Sequence, residues 1–251
     1  MTADLPDRFR AVIVDDEEPA RLLLREYLGG MPEIEVVAEC SNGFEAVKAV
    51  SELAPDILIL DVQMPKLDGF EVLELLDRPV AVVFATAFDS FAIRAFEVAA
   101  VDYLLKPFPA YRLKEAVARA IERIRGGEGA PISAVVRAAR RPGVHAGRVL
   151  VKDGADVHVV PVTAIDYMEA QDDYVAIHAG AKTLLKQQPL GDLAETLDPD
   201  RFVRIHRSYV LNLDRLRKIE PAGKDSREAV LADGTRLPVS RSGYARLQEL
   251  L

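Results

Sequence analysis

Between residues 10 and 125, five short apolar runs alternate with five amphipathic stretches, and this alternation limits the possible folds more than any other feature of the chain. Runs 10–14, 35–39, 57–60, 80–86 and 103–105 read as strands, and stretches 19–28, 43–53, 70–76, 91–99 and 113–125 as helices. The first helix shows its period in Ala20, Leu23, Leu24 and Tyr27 and stops at Gly29-Gly30. The second shows it in Phe44, Val47 and Val50, with Pro55 just beyond. Most of the strands are apolar throughout rather than in alternate positions, so both of their faces must be covered. That predicts a parallel sheet with helices on each side. In such a sheet, ligands gather beyond the carboxyl ends of the strands, where the strand order reverses.

Four of the five runs end on polar residues. They are Asp15-Asp16 after the first, Asp61 after the third, Thr86 closing the fourth, and Lys106-Pro107 after the fifth. A parallel sheet brings these ends to one edge. Three carboxylates there repel one another, which serves stability badly. A bound divalent cation resolves the conflict, and all-oxygen ligands suit Mg2+. Lys106 supplies a point charge for phosphate oxygens and Thr86 a hydroxyl. A carboxylate nucleophile, a metal and donors for the equatorial oxygens are what phosphoryl transfer needs.

The motifs around these residues are IVDDE at 13–17, DVQMPKLDG at 61–69, ATA at 85–87 and DYLLKPF at 102–108. In these, residues 8–125 resemble a response-regulator receiver domain, an α/β flavodoxin-like fold whose five-stranded parallel sheet has the order 2-1-3-4-5. The resemblance implies that Asp61 is the phosphoacceptor. Asp16, Asp61 and the Gln63 backbone carbonyl would bind Mg2+ directly, and Asp15 through water. Thr86 and Tyr103 resemble the switch pair, Lys106 the phosphate contact, and the Lys106–Pro107 bond is typically cis in this family. Phosphorylation would draw the Thr86 hydroxyl to the phosphoryl group, let Tyr103 rotate inward and change the surface carrying residues 88–125. Two receivers would then pair as a homodimer. The partner implied is a sensor histidine kinase, and the protein would accept and slowly lose its own phosphoryl group rather than act as a dedicated catalyst.

Residues 126–147 interrupt the pattern with five residues of Gly and two of Pro, and read as a linker between a domain at 1–125 and another at 148–251. A helical turn at 135–139 is one reading within it. From residue 148 the chain becomes mostly β. Ten short runs, at 149–152, 157–161, 165–170, 174–178, 182–186, 203–205, 209–212, 216–220, 229–231 and 236–239, are spaced by turns such as Asp153-Gly154 and Asp233-Gly234. Helices are expected at 190–197 and 242–250. The stretches IDYMEAQDDYVAIH at 165–178, FVRIHRSYVLNLDRLRKI at 202–219 and LADGTRLPVSRSGYARL at 231–247 resemble a LytTR DNA-binding domain. That implies promoter double-stranded DNA as a partner. Arg207 and Arg241 are then the candidates for base contact, since arginine reads guanine edges with two hydrogen bonds. His206, Ser208, Ser240 and Lys218 are candidates for phosphate contact or loop support. Asp172 and Asp173 stand where the family often places a contact, which puts that contact in doubt or suggests cytosine.

Charge follows the same division. Residues 1–125 carry 14 Lys/Arg against 23 Asp/Glu, whereas residues 201–251 carry 11 against 6. A locally basic end suits a polyanion. The apolar runs are too short to span a bilayer, the N-terminus has no signal-peptide pattern, and the single Cys40 suits a reducing compartment, so a cytoplasmic protein is expected. Two alternatives remain. One is an output half that binds protein or RNA. The other is a phosphatase of the haloacid dehalogenase type, which wants an aspartate two positions after its nucleophile. This chain has Glu17 after Asp15 and Gln63 after Asp61 at those positions.

Overall fold

The computed structural model describes residues 8–127, 145–223 and 226–251. The suggested helical turn at 135–139 and most of the expected linker lie outside them. The chain divides into an N-terminal and a C-terminal compact unit.

The N-terminal unit contains strands β1 (Phe9–Val14), β2 (Ile34–Cys40), β3 (Ile57–Leu60), β4 (Ala81–Thr86) and β5 (Asp102–Leu105). Helices α1 (Glu18–Gly29), α2 (Gly43–Leu53), α3 (Gly69–Glu74), α4 (Ala92–Glu97) and α5 (Ala110–Arg125) alternate with them. The sheet is parallel, with order β2-β1-β3-β4-β5. Every residue of β3 and β4 is buried, as their unbroken apolar runs require. One face packs Ile13, Ile59 and Val83 against Leu24 and Leu28 of α1 and Leu113, Val117 and Ile121 of α5. Helix boundaries are set by local chemistry. Asn42 caps α2 by accepting the Glu45 amide, and Asp68 and Glu71 form a reciprocal capping box on α3.

The C-terminal unit contains β6 (Arg148–Asp153), β7 (Asp156–Pro161), β8 (Tyr167–Gln171), β9 (Tyr174–Ala179), β10 (Lys182–Lys186), β11 (Phe202–His206), β12 (Tyr209–Asn212), β13 (Leu216–Pro221), β14 (Arg227–Leu231) and β15 (Arg236–Val239). Helix α6 (Leu190–Ala194) precedes β11, and α7 (Arg241–Leu250) ends the chain. A five-stranded sheet, β10-β9-β8-β12-β11, is the centre. Alternation sends Phe202 and Val210 into a core with Val149, Val151 and Val160, and sends Val203, Ile205 and Leu211 into a core with β14, β15 and α7. The central sheet is therefore covered on both faces, which explains why it reads as mixed rather than cleanly alternating. Several boundaries shift from the sequence reading: α3 ends at Glu74 rather than 76, α4 at Glu97 rather than 99, and α5 begins at Ala110 rather than 113. The run expected to begin at 165 starts as a strand at Tyr167, after a 3-10 turn at Val162–Ala164, and the helix expected at 190–197 ends at Ala194.

Gly243, in the first turn of α7, meets the backbone of β11: a Cβ built there would lie 1.9 Å from the Ile205 carbonyl oxygen. Only a residue without a side chain lets this helix dock. Gly243→Ala is expected to destabilise the C-terminal unit by about 1–3 kcal/mol in chemical denaturation, as overpacking does. Gly147→Ala, where nothing lies within 4 Å, is the control and should leave the midpoint unchanged.

Candidate phosphoacceptor site and DNA-facing edge

Register places the first site. Val14 pairs with Leu60, Leu60 with Phe84, and Thr86 with Leu105. The residues that end or follow β1, β3, β4 and β5 therefore emerge side by side, on strands about 4.8 Å apart. The Asp61 amide donates to the Val14 carbonyl (2.9 Å) and the Lys106 amide to the Thr86 carbonyl (2.8 Å), which continues the ladder into the site. The Lys106–Pro107 peptide bond is cis.

Asp15 is fully buried, Asp61 is 7% exposed, and Asp16 is open to solvent. Their carboxylate oxygens lie within 4.8 Å of one another. At an effective dielectric near 20, each such pair of charges repels by roughly 3 kcal/mol. Lys106 Nζ answers two of the three, at 2.5 Å from Asp15 Oδ2 and 3.0 Å from Asp61 Oδ2. Burial of the Asp15 carboxyl nevertheless raises its pKa, with the Asp61 charge adding to the rise and Lys106 opposing it. Burial alone would lower the Lys106 pKa, but its bond to Asp15 and the two carboxylate charges leave it above the ordinary lysine value. The cluster is short of positive charge, and its donor set of hard oxygens fits Mg2+.

The side expected to meet phosphate has a second incomplete element. Thr86 is fully buried, and among the described residues its Oγ1 has no hydrogen-bond partner. Tyr103 is half-buried, and its hydroxyl donates to the Phe88 carbonyl in the loop after Thr86. The Gln63 amide donates to Asp61 Oδ1 (3.2 Å), and the Glu17 amide to Asp15 Oδ1 (3.0 Å). Two contributors were not read from the sequence. Arg21 Nη1 holds the Asp15 carbonyl (2.8 Å), and a Cβ at Gly69 would lie 2.5 Å from the Asp61 carbonyl oxygen. Gly69 closes the DVQMPKLDG motif, so its position was legible although its reason was not.

The structure brings five of the six expected DNA-facing residues to one edge of the C-terminal unit. Arg207 and Ser208 form the turn between β11 and β12, next to His206, whose Nδ1 accepts the Ser208 amide (3.2 Å). Ser240 caps α7 by accepting the Gly243 amide, and its own amide and Oγ both donate to the Ile205 carbonyl (2.9 and 3.0 Å). Arg241, the first residue of α7, is thereby fixed beside the end of β11. Arg207 and Arg241 are exposed, and among the described residues neither guanidinium has a hydrogen-bonding or charged partner. Lys218 lies apart. It sits on β13, level with Arg236 and four residues along β15 from Ser240, and it pairs with Glu220 at 2.5 Å. Asp172 and Asp173 form the exposed β8–β9 turn, with Asp172 at φ 50°. Sequence reading missed Arg204 and Arg246, which bind the backbone of this edge.

Residues 11–118 match the family described as "Response regulator receiver domain", and residues 155–251 match "LytTr DNA-binding domain". Relatives extend over both. The transcriptional regulatory protein BtsR of Escherichia coli is 36% identical over 247 residues, covering 96% of this chain and 98% of its own. The sensory transduction protein LytT of Bacillus anthracis is 30% identical over 252 residues, with the same coverage of both chains. A response regulatory protein of Vibrio cholerae is 35% identical over 251 residues, covering 93% of this chain and 95% of its own.

The chain belongs to the LytTR-type response regulators. Its family is one of two-component transcriptional regulators rather than of dedicated catalysts, and its two domains imply a histidine kinase and DNA as partners. Among the described residues no helix is long and apolar enough to cross a membrane.

Burial of the Asp15 carboxylate, with the Asp61 charge beside it, makes this regulator's site a local cost to folding. Because the folded-state pKa of Asp15 is raised, its ionised form is disfavoured in the native protein. That cost is present at neutral pH and relieved as pH falls through the folded pKa. Asp15→Asn in metal-free buffer at pH 7 is therefore expected to stabilise the protein by about 0.5–2 kcal/mol in thermal melts. The difference from wild type should shrink as the pH is lowered toward the carboxylate range. Equal or lower stability of the variant at pH 7 would show that the Lys106 bond outweighs the burial of charge.

Proposed function

We propose that the protein is a phosphorylation-dependent transcriptional regulator in which Asp61 takes a phosphoryl group from a sensor histidine kinase. A carboxylate oxygen of Asp61 attacks the phosphorus of a phosphohistidine. The O–P bond forms as the P–N bond breaks, and the imidazole nitrogen keeps the electron pair and takes a proton. Asp16, Asp61 and the Gln63 backbone carbonyl would hold Mg2+, with Asp15 acting through water. The ion, when bound, neutralises the developing phosphoryl charge. Lys106 Nζ exchanges part of its contact with Asp61 for a phosphoryl oxygen, and the Thr86 hydroxyl donates to another. Water later attacks the phosphorus, the bond from the Asp61 oxygen to phosphorus breaks, and inorganic phosphate leaves with the carboxylate restored.

The observation that carries this reading is the buried Thr86 hydroxyl, left without a partner beside an undercompensated carboxylate cluster. A phosphoryl group of about −1.5 to −2 charges supplies the acceptor that Thr86 lacks. As Thr86 turns toward it, Tyr103 leaves the Phe88 carbonyl and rotates inward. The surface carrying residues 88–125 already exposes Phe88, Ile93, Leu105 and Tyr111. Its rearrangement favours a homodimer, which presents two C-terminal units to promoter DNA. Arg207 and Arg241 read base edges, with His206, Ser208 and Ser240 supporting them or meeting phosphates. Lys218, paired to Glu220, is the weakest member of the set. On this reading the domains are 1–125 and 148–251, joined by 126–147, and the protein works in the cytoplasm. The matched DNA-binding family favours this output over binding of protein or RNA.

Gel shifts against the promoter fragments nearest the chain's own coding region test the output. Pre-treatment with a small-molecule phosphoryl donor and Mg2+ should tighten binding by wild type, leave Asp61→Asn at its basal affinity, and raise the mass seen by light scattering. Arg207→Ala and Arg241→Ala should each cost about 1–3 kcal/mol of binding. Unchanged binding in both arginine variants would remove them from the interface. An unchanged mass on phosphorylation would remove the dimerisation step.

A further inference from the structure

Strand β11 is an edge strand, and its register slips where the DNA-facing turn begins. Arg204 pairs with Val210 but His206 with Tyr209, so Ile205 is the extra residue of a β-bulge. The slip coincides with two successive carbonyls, those of Arg204 and Ile205, being received by the α7 segment. Arg246 grips the Arg204 carbonyl through Nε (3.1 Å) and Nη2 (2.6 Å), while Ser240 takes the Ile205 carbonyl with its amide and hydroxyl. Arg204 then sends its own Nη2 forward to the Arg207 carbonyl, at 2.8 Å.

We infer that Arg204 and Arg246 are positioning residues that lock the β11–β12 turn to α7, so that Arg207 and Arg241 meet DNA at one fixed spacing. The inference rests on the DNA-reading role proposed above for Arg207 and Arg241. Both guanidinium groups are exposed, and water would satisfy the carbonyls they hold, so simple stability does not call for them. What water cannot supply is a rigid fork. Arg246 places two N–H groups on one oxygen, and Arg204 spans the turn from its own strand to the residue that reads the base. Without them the ties made at Arg204 and Arg207 are lost, and α7 is held to β11 by Ser240, the Gly243 contact and the apolar packing of Leu247 and Tyr244, which centre on Ile205 rather than on the turn. The turn would keep the Ala170 amide on the Ser208 carbonyl (2.9 Å), which ties it to β8, but would lose the side-chain ties that fix it relative to α7.

Charge and geometry are separated by lysine, which keeps the charge and loses the planar fork. Arg204→Lys and Arg246→Lys, in the full-length phosphorylated chain, are titrated with the promoter fragment that wild type binds and with a random duplex of equal length. Each variant should lose roughly tenfold in the ratio of the two affinities, with the salt dependence of random-duplex binding and the melting temperature unchanged. Two variants on separate elements keep the test open if one folds poorly. Retained discrimination in both overturns the inference. So does discrimination lost only in step with folded protein. A salt slope lowered by about one in Arg204→Gln or Arg246→Gln, with discrimination intact in the lysine forms, would make these residues phosphate contacts instead. Arg207→Ala is run alongside. If it abolishes discrimination while the lysine variants keep it, only the positioning role fails. If it too discriminates normally, the reading of Arg207 fails first.

Discussion

A single ammonium, Lys106 Nζ, stands between the Asp15 and Asp61 carboxylates, and the N-terminal unit is arranged around that contact. It joins the ends of β1, β3 and β5, strands far apart in sequence, across the point where the sheet order reverses. The contact is enough to hold the folded chain but not enough to balance it, because Asp16 adds a third carboxylate and burial works against Asp15. A site left short of positive charge is suited to capture a cation and then an anion in sequence. Beside it the Thr86 hydroxyl is buried, with no hydrogen-bond partner among the described residues. On the proposed function, each deficiency is a cost in the resting protein that a bound cation and a phosphoryl group would relieve.

The C-terminal unit solves a different problem with the same economy. An edge strand is a liability, since its unpaired carbonyls invite another chain. In β11 that edge is covered by α7, admitted by Gly243 and fastened by Ser240 and Arg246. Covering the edge also brings together two arginines that lie far apart in the sequence. Protection of the edge and assembly of the proposed DNA-facing surface are thus one structural event. The buried Asn212 plays a similar double part: its side chain donates to the Ile165 carbonyl (2.7 Å) and accepts the Asp214 amide (3.1 Å), anchoring the start of β13.

Much of this was legible in the sequence, and unequally so. The parallel sheet followed from unbroken apolar runs, and the four strand ends of the candidate site followed from the polar residues that stop them. Arg207 and Arg241 could be named only through resemblance, because an exposed arginine on a β surface carries no local signal of function. Arg204 and Arg246 were invisible for a more basic reason. Their partners are backbone carbonyls, which look the same in every sequence, and the bulge that aims those carbonyls depends on pairing between strands. Lys218 shows the reverse limit: a basic residue in a matching motif whose charge is already met by Glu220 two residues away.

The central claim is that Asp61, and no other carboxylate of the cluster, receives the phosphoryl group. The direct measurement is to treat the protein with a phosphoryl donor and Mg2+, and to locate the modification by mass spectrometry of its peptides in wild type and in Asp61→Asn. The account predicts one modified residue, Asp61, with no label in the variant or in the presence of a chelator. Label on Asp15 or Asp16 in wild type, or undiminished labelling of Asp61→Asn, would contradict it.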